Sequence, residues 1–174
     1  MNELIVILGY MGSGKSTIGK NLALKLDLPF VDLDHFIEET EQSTIKKIFE
    51  NKGAIHFRKL ERKALSQILE SREPKVIALG GGTPCYYDNM ELIYKNARSI
   101  YLKATIEELS RRLFKEKNQR PIISKIDDLQ ELREFIGKHL FERSYYYSQA
   151  HHTIHTNNQN IDDLTNRCLE TLFQ

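Results

Sequence analysis

The sequence contains no apolar run approaching the ~20 residues that a helix needs to cross a bilayer. Near its start only Leu4–Leu8 is continuously apolar, and no basic segment precedes it. Neither a membrane span nor a secretory leader is expected, and the expected location is the cytoplasm. Cysteine is scarce: Cys85 and Cys168 lie far apart and form no metal-binding or redox motif. Two reduced thiols are the expectation. A charge of one sign is also missing, because 25 Lys and Arg face 24 Asp and Glu for a net charge of +1. No global field draws the chain to nucleic acid or an anionic membrane, so any anion site must be a local cluster. Internal repeats and linker-like segments are absent. With 174 residues, the chain is long enough for one well-buried core and short for two.

What is present alternates between strand and helix. Leu4-Ile5-Val6-Ile7-Leu8 reads as a strand buried on both faces, and glycines follow it at once. Ser16 to Leu26 has helical periodicity at Ile18, Leu22 and Leu26. Phe30-Val31-Asp32 reads as a second strand after Leu28-Pro29. Ser43 is a candidate cap for a helix ending near Asn51, with Gly53 as its stop. Ala54 to Glu70 aligns Phe57, Leu60, Ala64 and Ile68 on one helical face. Lys75–Leu79 and Ser99–Leu102 read as further strands, and Thr105 with Glu108 as a capping box. Leu129–Tyr147 is helical, His152–His155 a short last strand and Ile161–Phe173 a closing helix. The alternation predicts a three-layer α/β domain with a mainly parallel sheet.

Gly9-Tyr10-Met11-Gly12-Ser13-Gly14-Lys15-Ser16 matches G-x-x-x-x-G-K-[ST] in full. Small residues at this spacing let successive backbone N–H groups turn inward on phosphate oxygens. The helix that follows adds the positive end of its dipole. Lys15 then reaches the β- and γ-phosphates, and the Ser16 hydroxyl joins a Mg²⁺ shell. An incidental glycine turn would produce this pattern in on the order of one chain in a hundred, and the flanking strand and helix lower that further. Nucleotide binding follows, but not yet an activity. A switch GTPase would carry an Asn-Lys-x-Asp segment, which is absent. A motor ATPase would add segments to transmit work. The polar stretch Lys115–Lys125, containing Pro121, suits a closing lid that excludes water from a kinase site.

A second group of residues falls where an acceptor should lie. Asp32 and Asp34 end the second strand, at the edge where ligands gather in open α/β sheets. Gly80-Gly81-Gly82 ends the third. Arg58 and Glu61 are three apart on one helix and can meet. Taken singly, the Asp-x-Asp reads as a helix cap and the Arg-Glu pair as a surface salt bridge.

In order and approximate spacing, Gly9–Ser16, Asp32-Leu33-Asp34 with Ile37-Glu38, Ile48-Phe49, Gly53, Phe57-Arg58 with Glu61, Gly80–Gly82, Arg120-Pro121 and Glu142-Arg143 with Tyr145 resemble the shikimate kinase family. The resemblance implies a five-stranded parallel sheet in the order 2-3-1-4-5. It also implies transfer of the ATP γ-phosphoryl group to the 3-hydroxyl of shikimate, with Mg²⁺, in aromatic amino-acid biosynthesis. The catalytic residues it implies are Asp34, Lys15 and Arg120. Gly12, Ser13, Gly14, Lys15, Ser16, Thr17, Arg112 and Arg120 would bind the nucleotide. Asp34, Arg58, Glu61, Gly80, Gly81, Gly82 and Arg143 would bind shikimate, the two arginines gripping its carboxylate. Ser16, and Asp32 through water, would serve the metal. One domain over 1–174 is expected, with a substrate-binding helical segment at about 33–62 and a mobile lid at about 113–125. The chain is expected to act as a monomer on ATP and shikimate, without nucleic acid or membrane. A kinase of another hydroxy acid, such as gluconate, is the alternative enzyme, and a nucleotide-binding module without catalysis the alternative class. The sequence departs from the family at Ala54, where Glu is usual, and at Lys115–Asn118, which is longer and more polar than in some relatives.

Other features invite chemistry and are read as structure. His151, His152 and His155 lie on a short strand end without Cys or acidic companions, and a solvent-facing edge is expected rather than a metal site. Tyr145-Tyr146-Tyr147 packs a helix end, Cys85 is a small packing residue, and His35 is exposed helix surface.

Overall fold

The computed structural model describes residues 3–116, 122–157 and 159–173. Five parallel strands form one sheet: β1 (Leu4–Leu8), β2 (Phe30–Asp32), β3 (Lys75–Ala78), β4 (Arg98–Lys103) and β5 (His152–His155), in the order β2-β3-β1-β4-β5. This is the expected order. The helices are α1 (Lys15–Leu26), α2 (Leu33–Glu41), α3 (Ile45–Glu70), α4 (Asn89–Asn96), α5 (Ile106–Glu116), α6 (Leu129–Tyr147) and α7 (Ile161–Leu172).

The period-two geometry of β1 divides the core. Ile5 and Ile7 face α1 and α7 through Ile18, Leu22, Leu164 and Cys168. Leu4, Val6 and Leu8 belong to the other layer, with Leu33, Phe57, Leu65, Ile93, Leu109 and Ile136 from the remaining helices. A central strand buried on both faces needs no polar alternation, which is why its sequence is continuously apolar.

Two local expectations change. The cap of α3 is Thr44, whose hydroxyl accepts from Lys47 N, so the helix starts at Ile45, one residue later than a Ser43 cap would place it. Gly53 stops the first helical segment as expected: at φ 76 and ψ 173, a backbone state that a side chain would resist, it is non-helical, and α3 is two helices meeting at a kink there. The capping box is half made: Thr105 Oγ1 accepts from Glu108 N at 3.3 Å. The Glu108 carboxylate turns instead to Arg111 and Arg112, and Thr105 N donates to Asn157. α4 had no periodicity strong enough to mark it. Residues 113–116, which open the expected lid, form the last turn of α5 with Leu113 fully buried.

Of the three histidines near β5, His151 is held by structural contacts and His155 is exposed. His151 Nδ1 lies 2.8 Å from the Oγ of the buried Ser99, and its ring stacks on Tyr94 at 4.3 Å. No metal-binding cluster occurs among the described residues. Cys85 and Cys168 are free thiols. Tyr147 is fully buried and Tyr145 largely exposed, so only part of the tyrosine run packs the helix end.

Candidate active site

The carboxyl ends of β1, β2 and β3 converge on a cleft of about 430 Å³. Its wall carries Gly12 to Thr17, Asp32, Asp34, Gly80, Gly81 and Arg112. The phosphate loop turns between β1 and α1, with Ser13 N donating to Tyr10 O at 3.1 Å. Lys15 is buried, and its Nζ donates to Tyr10 O at 3.0 Å. Ser16 Oγ donates to Asp32 Oδ2 at 2.6 Å. A hydroxyl and a carboxylate oxygen in contact at a phosphate loop are the hard donors that Mg²⁺ takes. Asp32 is also the N-cap of α2, accepting from Asp34 N and His35 N. The cap reading of this residue holds, and the same carboxylate lies in the cleft wall. His35 is exposed and pairs with Glu39.

On the other flank of the loop, Arg112 bridges three elements. Its Nε donates to Glu108 at 2.6 Å, and its terminal nitrogens reach Gly12 O and Thr156 O, each at 3.2 Å. Glu108, 8% exposed at the side chain, anchors it and is a site-supporting residue the sequence reading missed. Arg111 and Arg112 hold its carboxyl below the usual range against the opposing effect of burial. Glu116, Gln159, Ile161 and Leu164 complete this side of the cleft.

Beyond Asp34 the second cluster assembles. Arg58 donates to Glu61 at 2.7 Å, and Glu61 is 1% exposed, so this pair is interior rather than a surface bridge. Thr83 Oγ1 donates to the other Glu61 oxygen at 2.6 Å. The Arg58 guanidinium lies 4.1 Å from the centroid of the Tyr86 ring and 5.0 Å from that of Phe57. Two of the three glycines make room for these groups, and Gly81 lies against the phosphate-loop backbone at Met11 N. A Cβ on Gly80 would sit 2.7 Å from Asp34 Oδ1 and 3.1 Å from Glu61 Oε1, and one on Gly82 would sit 2.9 Å from Arg58. Tyr147 donates to Gly81 O and hydrogen-bonds Arg143, whose guanidinium lies over the Tyr10 ring. Arg58 and Arg143 both act on the Cys85 thiol, which burial nonetheless pushes up to about 11. Ala54 is exposed at the bend of α3.

Asp34 stands between the two halves. Burial first, then Asp32 and Glu61, raise its pKa to about 6 against the pull of Lys15 and Arg58. Of the residues expected from the sequence, the structure gathers Lys15, Ser16, Asp32, Asp34, Gly80, Gly81 and Arg112 at the cleft. It sets Arg58, Glu61, Gly82 and Arg143 beside it. Arg120 lies outside the described residues. Tyr10, Thr83, Tyr86 and Tyr147 were missed because their contacts join distant parts of the chain.

A complete phosphate loop on a 2-3-1-4-5 parallel sheet, with an enclosed carboxylate facing it, defines a P-loop kinase of a small molecule. A family model described as shikimate kinase matches residues 11–173. The shikimate kinase of Flavobacterium johnsoniae is 47% identical over 171 residues, covering 98% of this chain and 99% of the relative. The crystal structure of shikimate kinase from Bacteroides thetaiotaomicron superposes with a TM-score of 0.91 at 38% identity, covering 99% of each chain. A shikimate kinase from Acinetobacter baumannii, solved in complex with shikimate, gives 0.86 at 33% identity, covering 98% of this chain and 93% of that one. The chain belongs to the shikimate kinase family, and membership makes it an ATP- and Mg²⁺-dependent kinase.

Proposed function

We propose that this chain transfers the ATP γ-phosphoryl group to the 3-hydroxyl of shikimate, giving shikimate 3-phosphate and ADP. The observation that carries the reading is Asp34, a half-buried carboxylate in the cleft wall against Gly80, with Lys15 on the phosphate side and Arg58 on the acid side both pulling its pKa down against burial. With a pKa of about 6 it is ionised at neutral pH and basic enough to take a proton. In the transfer, the hydroxyl proton passes to Asp34 as the new oxygen–phosphorus bond forms and the bond between the γ-phosphorus and the bridging oxygen breaks. Lys15 and Arg120 balance the charge that develops on the transferring group. Bound Mg²⁺ supplies further neutralisation of the phosphates, with Ser16, and Asp32 through water, as its protein partners. Gly12 to Thr17 and Arg112 hold the nucleotide.

Arg58 and Arg143 take the shikimate carboxylate, because planar guanidinium forks suit a planar anion. Glu61 fixes Arg58, and Gly80–Gly82 bring backbone against the ring. Residues 1–174 act as one domain, with acceptor contacts drawn from about 33–62; the lid expected at about 113–125 begins on the last turn of α5, and its residues 117–121 lie outside the described residues. We read the chain as a cytoplasmic monomer acting on two small molecules, without nucleic acid or membrane. Its net charge of +1 supports this reading, as does the lack, among the described residues, of a helix long and apolar enough to cross a membrane.

An ADP-release assay with shikimate and with gluconate tests the assignment. Turnover with shikimate and little with gluconate is expected, and no turnover with shikimate ends the reading. Asp34→Ala is expected to remove turnover while ATP binding stays within about threefold.

A further inference from the structure

The phosphate loop carries one large side chain that phosphoryl transfer does not require. Tyr10 is 1% exposed, and its hydroxyl lies 3.0 Å from His139 Nδ1 on α6, 129 positions away in sequence. The centroid of its ring is 5.6 Å from the Arg143 guanidinium carbon. Its carbonyl accepts from Lys15 Nζ. One residue thus contacts the cation of the phosphate side and the cation assigned to the acid side.

We propose that Tyr10 and His139 are positioning residues that set the Arg143 guanidinium for the acceptor's carboxylate. The inference rests on the role given to Arg143 above. His139 and Arg143 are four residues apart and share one face of α6, so a contact at His139 registers the turn that carries Arg143. Phe135 packs on the His139 ring at 4.2 Å and limits its rotation. Burial alone would leave the Tyr10 ring several tilts of similar apolar contact. The hydroxyl has one partner to satisfy, and that bond selects the tilt. Burial pushes the Tyr10 pKa up to about 12, so the phenol keeps its proton. Burial and the Arg143 charge keep His139 below the usual imidazole range, so the bond joins two neutral groups. Arg143 also donates to the Tyr147 hydroxyl, which in turn donates to Gly81 O. A guanidinium tied to two anchored phenols loses little freedom when a carboxylate arrives, and that lowers the cost of binding.

The test measures kcat, KM for shikimate, KM for ATP and Tm for Tyr10→Phe, His139→Leu, the double variant, His139→Asn and Arg143→Ala. A lost neutral hydrogen bond is expected to raise KM for shikimate roughly three- to tenfold in Tyr10→Phe and in His139→Leu. KM for ATP should stay within about twofold. The double variant should be no worse than either single, because both remove one bond. His139→Asn places an amide oxygen near Nδ1 and should restore the wild-type KM. If Arg143→Ala raises KM for shikimate but Tyr10→Phe does not, the positioning role is overturned while Arg143 keeps its own. Multiplicative effects in the double variant, or KM values for both substrates rising together with a fall in Tm, also overturn it. If Arg143→Ala leaves KM for shikimate unchanged, both readings fall. Tyr10→Phe decides the matter alone if His139→Leu does not fold.

Discussion

Asp34 shows what a reactive side chain costs the molecule that holds it. Its carboxyl titrates near 6 in the folded chain against 3.8 for an ordinary Asp. With ~1.4 kcal/mol for each tenfold change in proton affinity, keeping it ionised at neutral pH costs on the order of 3 kcal/mol. The sign follows from the raised value: the folded state binds the proton more tightly, so stability is lost as pH climbs from about 4 through about 6. Asp34→Asn should therefore raise Tm at pH 7.5 while abolishing turnover, and the gain should vanish in unfolding curves near pH 4. In the native enzyme, kcat should fall as pH drops through about 6. Glu61 contributes a negative charge to that titration and lies with Asp34 against Gly80. Glu61→Gln should move the acid limb of the pH–rate profile to lower pH by roughly half a unit or more. A limb moving upward would show that Glu61 acts on Asp34 only through Arg58.

At the scale of elements, caps separate what the sequence displays from what it conceals. Ser43 and Thr44 are adjacent and both could cap α3, but only the structure selects Thr44. Thr44→Ala should lower stability by about 1 kcal/mol in urea unfolding, and Ser43→Ala by less than about 0.5. The strands were legible because their apolar runs are local, and so was the phosphate loop, whose chemistry lies within eight consecutive residues. α4 was not legible: its short amphipathic stretch, Asn89–Asn96, lacks a side-chain cap. Glu108 looked like half of a capping box until Arg112 claimed it. The Tyr10–His139 pair leaves no local trace, because nothing in either neighbourhood names the other. Spacing conveyed which residues the fold gathers at one cleft. It did not convey what holds them still.

For the whole molecule, the proposed function has the cleft and the cluster beside it divide binding between two ligands that meet at Asp34. Linkage makes the division measurable, since a ligand at a hundred times its Kd stabilises the folded state by about 2.7 kcal/mol. Lys15→Ala should lose most of the thermal shift given by ATP with Mg²⁺ and keep the shift given by shikimate. Arg58→Ala should do the reverse. Equal loss of both shifts in either variant would mean the halves are not separable. The sheet that carries both halves ends on one side in β2, three residues long, and on the other in β5, four residues long. Each border offers only a few unpaired backbone donors and acceptors, too short a template for a strand from another molecule to extend the sheet. A concentrated solution of this protein should thus resist edge-to-edge aggregation, and its solubility should depend on the exposed Leu24, Ile55, Phe141 and Tyr145 rather than on its β-structure.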